Sequence, residues 1–333
     1  MIQPSIELLF SHIMKDPKYI SCFRFPSRQD FDFPSIRISG IRLISRKSDS
    51  LQKDILYFGR AADCLALSPE AIRPLHLVVT GSQTDIQALS RRCEGLCIWL
   101  ADSELLNCLF NDMLTFFTTL SDWSAQADVL IAQREPLQNL LNISEDLLKN
   151  PVVMWDSSFK LVMRPTFRVP EIPIVQEWVD SGSIPGPYVE QFIASGYLRR
   201  YKDFLVSSLE PRQMTDYPFE LRVFFERRHH VLVMAQYYVH EPVSLAQKEL
   251  LGMFEDKIDQ YFATDRQIAD SNQNLIYEPF LRDLIHGALG EADIRDKLEY
   301  IHMPRINDPE SAHDILLDGK HRSHYTYSMS PTL

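Results

Sequence analysis

The residues with the most distinctive chemistry are aromatic and basic, and they fall in the middle of the chain. Trp155, Trp178, Tyr188, Tyr197, Phe225 and Tyr237 stand there with Arg164, Arg199 or Arg222 as an accompanying cation. Ligand pockets are mostly apolar with a few placed polar groups, so this set could line one, a guanidinium anchoring an anion. The blander alternative is plain core, because aromatic side chains at strand and helix spacing usually pack on one another. Familiar catalytic patterns are missing. The 11 glycines form neither GxGxxG nor GxxxxGK[ST], which excludes nucleotide chemistry through those loops. No GxSxG elbow occurs, and Ser181-Gly182-Ser183 reads as a loop. Cys93 and Cys97 are four apart instead of at knuckle spacing, and they read as small core residues. His229 and His230 would join His240 on a metal only if adjacent strand residues faced the same way, so they read as a solvated turn. Asp85, Asp102 and Asp112 read as caps. No catalytic residue, cofactor or metal is expected.

The elements that must position these residues fall into seven segments. Residues 1–34 read as an N-terminal arm with a short helix (Ile6, Leu9, Phe10, Ile13). Residues 35–122 show an α/β rhythm, with short apolar runs at 36–44, 55–58, 75–80 and 96–100 and a helix carrying Leu105 to Phe117. Residues 123–150 form a connector helix that starts at Pro136, presents Leu137, Leu140, Leu141, Ser144, Leu147 and Leu148 on one face, and stops at Asn150-Pro151. Residues 151–243 read as two strands around Asp156-Ser157-Ser158, a helical excursion near 174–180 and 188–195, and a long hairpin of strands 220–226 and 231–239. Residues 244–270 begin with the capping box Ser244 to Gln247 and carry Leu250, Leu251, Phe254, Ile258, Tyr261 and Phe262 as a stripe. That stripe suits a parallel dimer seam or one-sided packing on the sheet. Residues 271–303 hold further amphipathic helices, and 304–333 are too polar to fold alone.

Two strands, a helical excursion, a hairpin and a closing helix suggest a PAS-like or GAF-like sensor. The expected fold class is an α/β N-terminal module plus an α+β sensor domain with flanking helices open to coiled-coil pairing. With 333 residues, 45% of them hydrophobic, the chain can bury a large core. Lys and Arg number 34 against 45 Asp and Glu, and a net charge of -11 disfavours phosphate backbones as partners. The absence of a leader or an apolar run of membrane length, together with five irregularly spaced cysteines, suggests a cytoplasmic protein with reduced thiols.

Residues 140–162, LLNISEDLLKNPVVMWDSSFKLV, resemble the opening of the central sensor region in transcription regulators of the PucR/CdaR type. The shared features are Leu147-Leu148-Lys149-Asn150-Pro151, a strand, the turn Asp156 to Phe159 and a second strand. Tyr277 to Gly287 with 294–303 is similar to the start of that family's degenerate cyclase-like (GGDEF-related) region, and the first module resembles the family's N-terminal one more loosely. The resemblance implies a non-catalytic, dimeric sensor of a small-molecule effector. DNA would be contacted only through a helix-turn-helix domain, which does not follow Met303, so a truncated or partner-dependent regulator is expected, without membrane contact. The alternative is a protein–protein interaction module that acts through full-length relatives and binds no small molecule.

Overall fold

The computed structural model describes residues 2–24, 32–44, 51–156, 158–194, 217–226 and 229–264, apart from some side chains within 191–194, 223–231 and at 264. The chain divides into two compact units. Of the described residues, the first takes those within 2–133, 146–148 and 242–257, and the second those within 134–145, 149–241 and 258–264.

The first unit opens with α1 (Ile6–Ile13) and α2 (Pro17–Ile20), followed by β1 (Phe23–Arg24), β2 (Gly40–Leu43) and β3 (Ile55–Arg60). It continues through α3 (Ala61–Leu65), α4 (Pro69–Ile72), β4 (His76–Thr80), α5 (Gln83–Ser90), β5 (Cys97–Leu100) and α6 (Leu105–Ala132). The sheet order is β1-β5-β4-β3-β2, with β2 to β5 parallel and β1 antiparallel on the edge. Near-continuous apolar strands such as Ile55-Leu56-Tyr57-Phe58 are the expected pattern for a parallel sheet covered on both faces. Ile55, Tyr57, Leu77 and Val79 pack under Ala61, Cys64, Ile72, Ile86 and Leu89 of the helices on one side. On the other side Phe58 meets Phe110 of α6 edge-on at 5.5 Å. Serines cap three of this unit's helices: Ser5, Ser68 and Ser82 accept from Leu8, Ala71 and Asp85 backbone N–H groups.

Three expectations change here. Residues 1–34 include no free arm at α1, because Ile6, Leu8, Leu9 and Ile13 are buried. The long helix does not end near Phe117 or at 122. Its buried row continues through Leu120, Trp123, Ala127 and Ile131, and no breaker intervenes before Arg134 adopts a positive φ of 56° ahead of Pro136. Asp112 is not a cap but a mid-helix acceptor, bound by the Tyr19 hydroxyl at 2.6 Å and the Lys18 ammonium at 3.2 Å.

The second unit takes in α7 (Leu137–Leu148) as far as Glu145 and holds β6 (Val152–Asp156), β7 (Leu161–Met163), α8 (Pro173–Ser181), α9 (Gly186–Ala194), β8 (Phe219–Glu226) and β9 (His229–Tyr237). Its antiparallel sheet runs β7-β6-β9-β8. The Asp156 carboxylate folds the first turn by accepting from the backbones of Ser158 (2.9 Å) and Lys160 (3.0 Å), while Phe159 takes φ 63°. Gly182, left-handed at φ 73°, ends α8. His229 and His230 extend β9 and pair with Glu226 and Phe225, so they are strand residues and not a turn.

The last described helix, α10 (Leu245–Thr264), settles the fate of the apolar stripe. Leu250, Leu251, Phe254, Ile258 and Tyr261 are all buried inside the chain, so this row is one-sided packing and not an open dimer seam. Within the first unit, the Glu249 carboxylate accepts from the Ser5 backbone (2.8 Å) and hydroxyl and pairs with Arg37, while Lys257 reaches Asp128 at 2.6 Å. Ser244 accepts from the Gln247 backbone at 3.1 Å, but Gln247 Oε1 is buried without a partner, so only half of the capping box forms. No described helix is long and apolar enough to cross a membrane. Tyr197 and Arg199, and the helices and tail expected over 271–333, lie outside the described residues.

The first unit's core generates two predictions. A Cβ on Gly95 would lie 2.1 Å from the Leu75 carbonyl oxygen, so Gly95→Ala should destabilise by about 1–3 kcal/mol in urea unfolding, as overpacking does. Burial pushes the Cys64 and Cys97 thiols up to about 12 and the Cys93 thiol up to about 11. Burial, with the hydrogen bond to Asp112, pushes the Tyr19 hydroxyl up to about 12. The unfolded chain gives up these protons first as pH rises, so their stabilisation is complete below the ordinary thiol value of about 8.5 and is lost towards pH ~12. Calorimetry should show Tm falling through that window, less steeply in Cys64→Ala, and a level Tm would contradict this.

Candidate functional site

Strand alternation gives the second sheet two faces with different chemistry. One is aromatic. Val153, Trp155, Leu221, Val233, Ala235 and Tyr237 face Val169, Ile172, Val175, Trp178 and Ile184 from the α8 region. Trp178 is wholly buried, with its ring edge-on to Trp155 at 6.2 Å and to Tyr188 at 6.0 Å, and Tyr237 lies 5.4 Å from Phe219. Edge-on pairs add about 0.5–1.5 kcal/mol each beyond area burial. Tyr188 is half-buried, its ring against the cluster and its hydroxyl donating to Glu177 at 3.1 Å. The structure thus gathers Trp155, Trp178, Tyr188 and Tyr237 in one cluster. The Phe225 side chain lies outside the described ones; its backbone pairs with His230, past an irregular step between Phe224 and Phe225 of β8.

Arg164 does not join them. It is exposed, and its guanidinium donates to the Val179 carbonyl at 3.0 Å near the C-terminal end of α8, a place that favours cations. Its backbone N–H donates to Gln138 Oε1 at 3.0 Å, and its carbonyl accepts from Gln138 Nε2 at 2.8 Å. Two residues on, the Thr166 backbone donates to Glu145 at 2.6 Å and its hydroxyl donates to the same carboxylate. The anion anchor expected at Arg164 is therefore a bracket between α7, the segment after β7, and α8. The expectation failed because the fold brings the Val179 carbonyl within reach of the guanidinium, a long-range juxtaposition that residue type alone does not reveal.

The opposite face is apolar with a polar centre. Val152, Met154, Leu232, Met234 and Phe224 are buried on it, and Phe262 of α10 lies against Phe224 at 6.3 Å. Among them, buried Glu220 holds Arg222 through one carboxylate oxygen at 2.6 Å and the Tyr238 hydroxyl through the other at 2.7 Å. Burial, and then the bond to Glu220, drives the Tyr238 hydroxyl far above the ordinary phenol range. Arg222 is thus spent on Glu220, across the sheet from Trp155. Gln236, opposite Glu220 in the β8–β9 register, is completely buried, and neither atom of its amide has a hydrogen-bond partner. Reading by residue type missed this centre. The only sign was a glutamine inside the apolar run Leu232 to Tyr238.

Asn150, expected only as a stop signal, is 2% exposed and joins the two ends of the sheet. Its Oδ1 accepts from the backbones of Val239 (3.1 Å), His240 (3.0 Å) and Glu241 (3.0 Å), and its Nδ2 donates to the Glu241 carbonyl at 3.0 Å. His240 is exposed, with its ring 6.0 Å from Phe167. Among the described residues no three His, Cys, Asp or Glu side chains gather as a metal site would need. No protein-family model matches this chain, and no curated protein matches it.

Trp178→Ala should cost about 3–5 kcal/mol, the range for deleting a buried aromatic. Arg164→Ala, which keeps the backbone bonds to Gln138, should cost less than about 1 kcal/mol. Urea unfolding of both variants checks the assignment, and an Arg164 loss as large as that of Trp178 would contradict it.

Proposed function

We propose that this chain is the ligand-sensing regulatory region of a transcription regulator of the PucR/CdaR type, with the second unit as a PAS-like or GAF-like sensor. The observation that carries this reading is the arrangement around the second sheet. The strand order is 2-1-4-3, the helical excursion α8–α9 lies in the long connection, and helices flank the sheet before its first strand and after its last. A sensor needs a route from the sheet that carries its ligand to an output element. The bracket of Gln138, Glu145, Arg164 and Thr166 supports such a route, because it ties α7 to the segment that leads into the helix bearing Trp178. The effector is a small molecule, DNA binding belongs to no residue described here, and no dimer seam at 250–262 is required.

A second reading, an interaction module without a small-molecule ligand, takes its support from how completely Trp155 and Trp178 are buried. The two readings part in one experiment. A metabolite panel screened by thermal shift should yield a ligand that slows amide exchange in both 164–181 and 137–148. In the free chain, Glu145→Ala should speed exchange in 164–181 roughly fivefold to tenfold, as expected for losing the two solvent-exposed bonds that its carboxylate accepts from Thr166. A panel without any hit favours the interaction module, and unchanged exchange in Glu145→Ala removes the route.

A further inference from the structure

At the centre of its sheet face the amide of Gln236 has neither its donor nor its acceptor engaged. It sits in the middle of a row across three strands, with Val152 on one side and Glu220 on the other. Both oxygens of Glu220 are engaged, by Arg222 and by Tyr238. Gln236 is wholly buried, yet its donor and its acceptor are both unpartnered. A buried amide with nothing to bond opposes folding, and a natural core rarely keeps one without a use for it. The next row along the same face pairs Met154 with Met234, both buried. Methionines are unbranched and repack around what they meet, so this wall can yield space where branched residues could not.

We propose that this face of the second sheet, opposite the aromatic core, holds a binding site centred on Gln236 for a small molecule that presents an N–H donor beside a carbonyl acceptor, as a lactam or amide edge does. The primary amide of glutamine offers the complementary pair, Oε1 to accept and Nε2 to donate, and it can meet such an edge with two parallel hydrogen bonds. Glu220 and Tyr238, locked to each other, give the neighbourhood a fixed polar wall. Val152, Met154 and Met234 supply the apolar surface on which a flat ring would lie. The site names a ligand class for the sensory reading on which it rests, and it lies across the sheet from the aromatic face.

The test uses the full chain with uracil, which carries the lactam edge, and 1,3-dimethyluracil, which has the same ring with its N–H donors blocked. Uracil at about ten times its Kd should raise Tm by roughly 3–5 °C, and the dimethyl compound should bind at least about tenfold more weakly. Gln236→Leu should keep or raise the Tm of the free chain and lose the response to uracil. Should that variant fail to fold, Gln236→Met and the comparison of the two ring compounds on the unaltered chain decide the matter. Equal responses to the two compounds, a uracil response that survives in Gln236→Leu or Gln236→Met, or no response to uracil at all would each overturn the site. The sensory reading is lost only if the wider metabolite panel also gives nothing.

Discussion

Burial of both faces of the second sheet is the constraint from which most of that unit follows. A strand exposed on one side can turn its polar groups to water, whereas β8 and β9 have buried residues on each side and must satisfy theirs internally. Glu220 is tolerable there because Arg222 and Tyr238 take its two oxygens. The strand ends face the same requirement. Where β9 runs out, three successive backbone N–H groups would be left over, and the single Oδ1 of Asn150 accepts all three. That one side chain fixes where the first strand begins relative to where the last one ends, and so where α7 stops and the segment leading to α10 starts.

The parts of this arrangement that are local were legible in the sequence. Asn150-Pro151, the turn opened by Asp156 and the glycine after α8 each act within a few residues, and their chemistry specifies a stop or a bend wherever they occur. The α/β rhythm of the first unit was equally plain, because apolar runs such as Leu75 to Thr80 admit little but a covered strand. What covers an apolar row was not legible. The stripe Leu250 to Tyr261 has the same spacing whether it meets a second copy or its own chain. The deciding contacts, Glu249 with Ser5 and Arg37 and Lys257 with Asp128, span more than a hundred residues of sequence. The length of α6 was underestimated for a related reason: Trp123, Ala127 and Ile131 prolong its buried row, and apolar spacing thins before the helix ends.

The aromatic inventory shows how far residue type can lead. Trp155, Trp178, Tyr188 and Tyr237 do come together, since large apolar side chains on alternating strand positions and a facing helix have few other places to go. Arg164 and Arg222 do not follow, because a guanidinium goes to the nearest acceptor. For Arg164 that is the carbonyl of Val179, and for Arg222 the carboxylate two residues back. Aromatic positions are set by the periodicity of their own element, whereas a long cation is placed by whichever acceptor the fold brings within reach.

The two faces of the sheet therefore differ in what they still need. Buried rings that meet edge-on have made their contacts, and any ligand on that side competes with them. A primary amide with neither donor nor acceptor engaged has not made its own, and the free energy it withholds from folding is available to whatever completes it. A two-faced sheet can thus draw stability from one side and discrimination from the other. Selectivity for a ligand follows from hydrogen-bonding groups that only the right partner satisfies, and on this sheet such a group stands opposite Glu220, not beside Trp178.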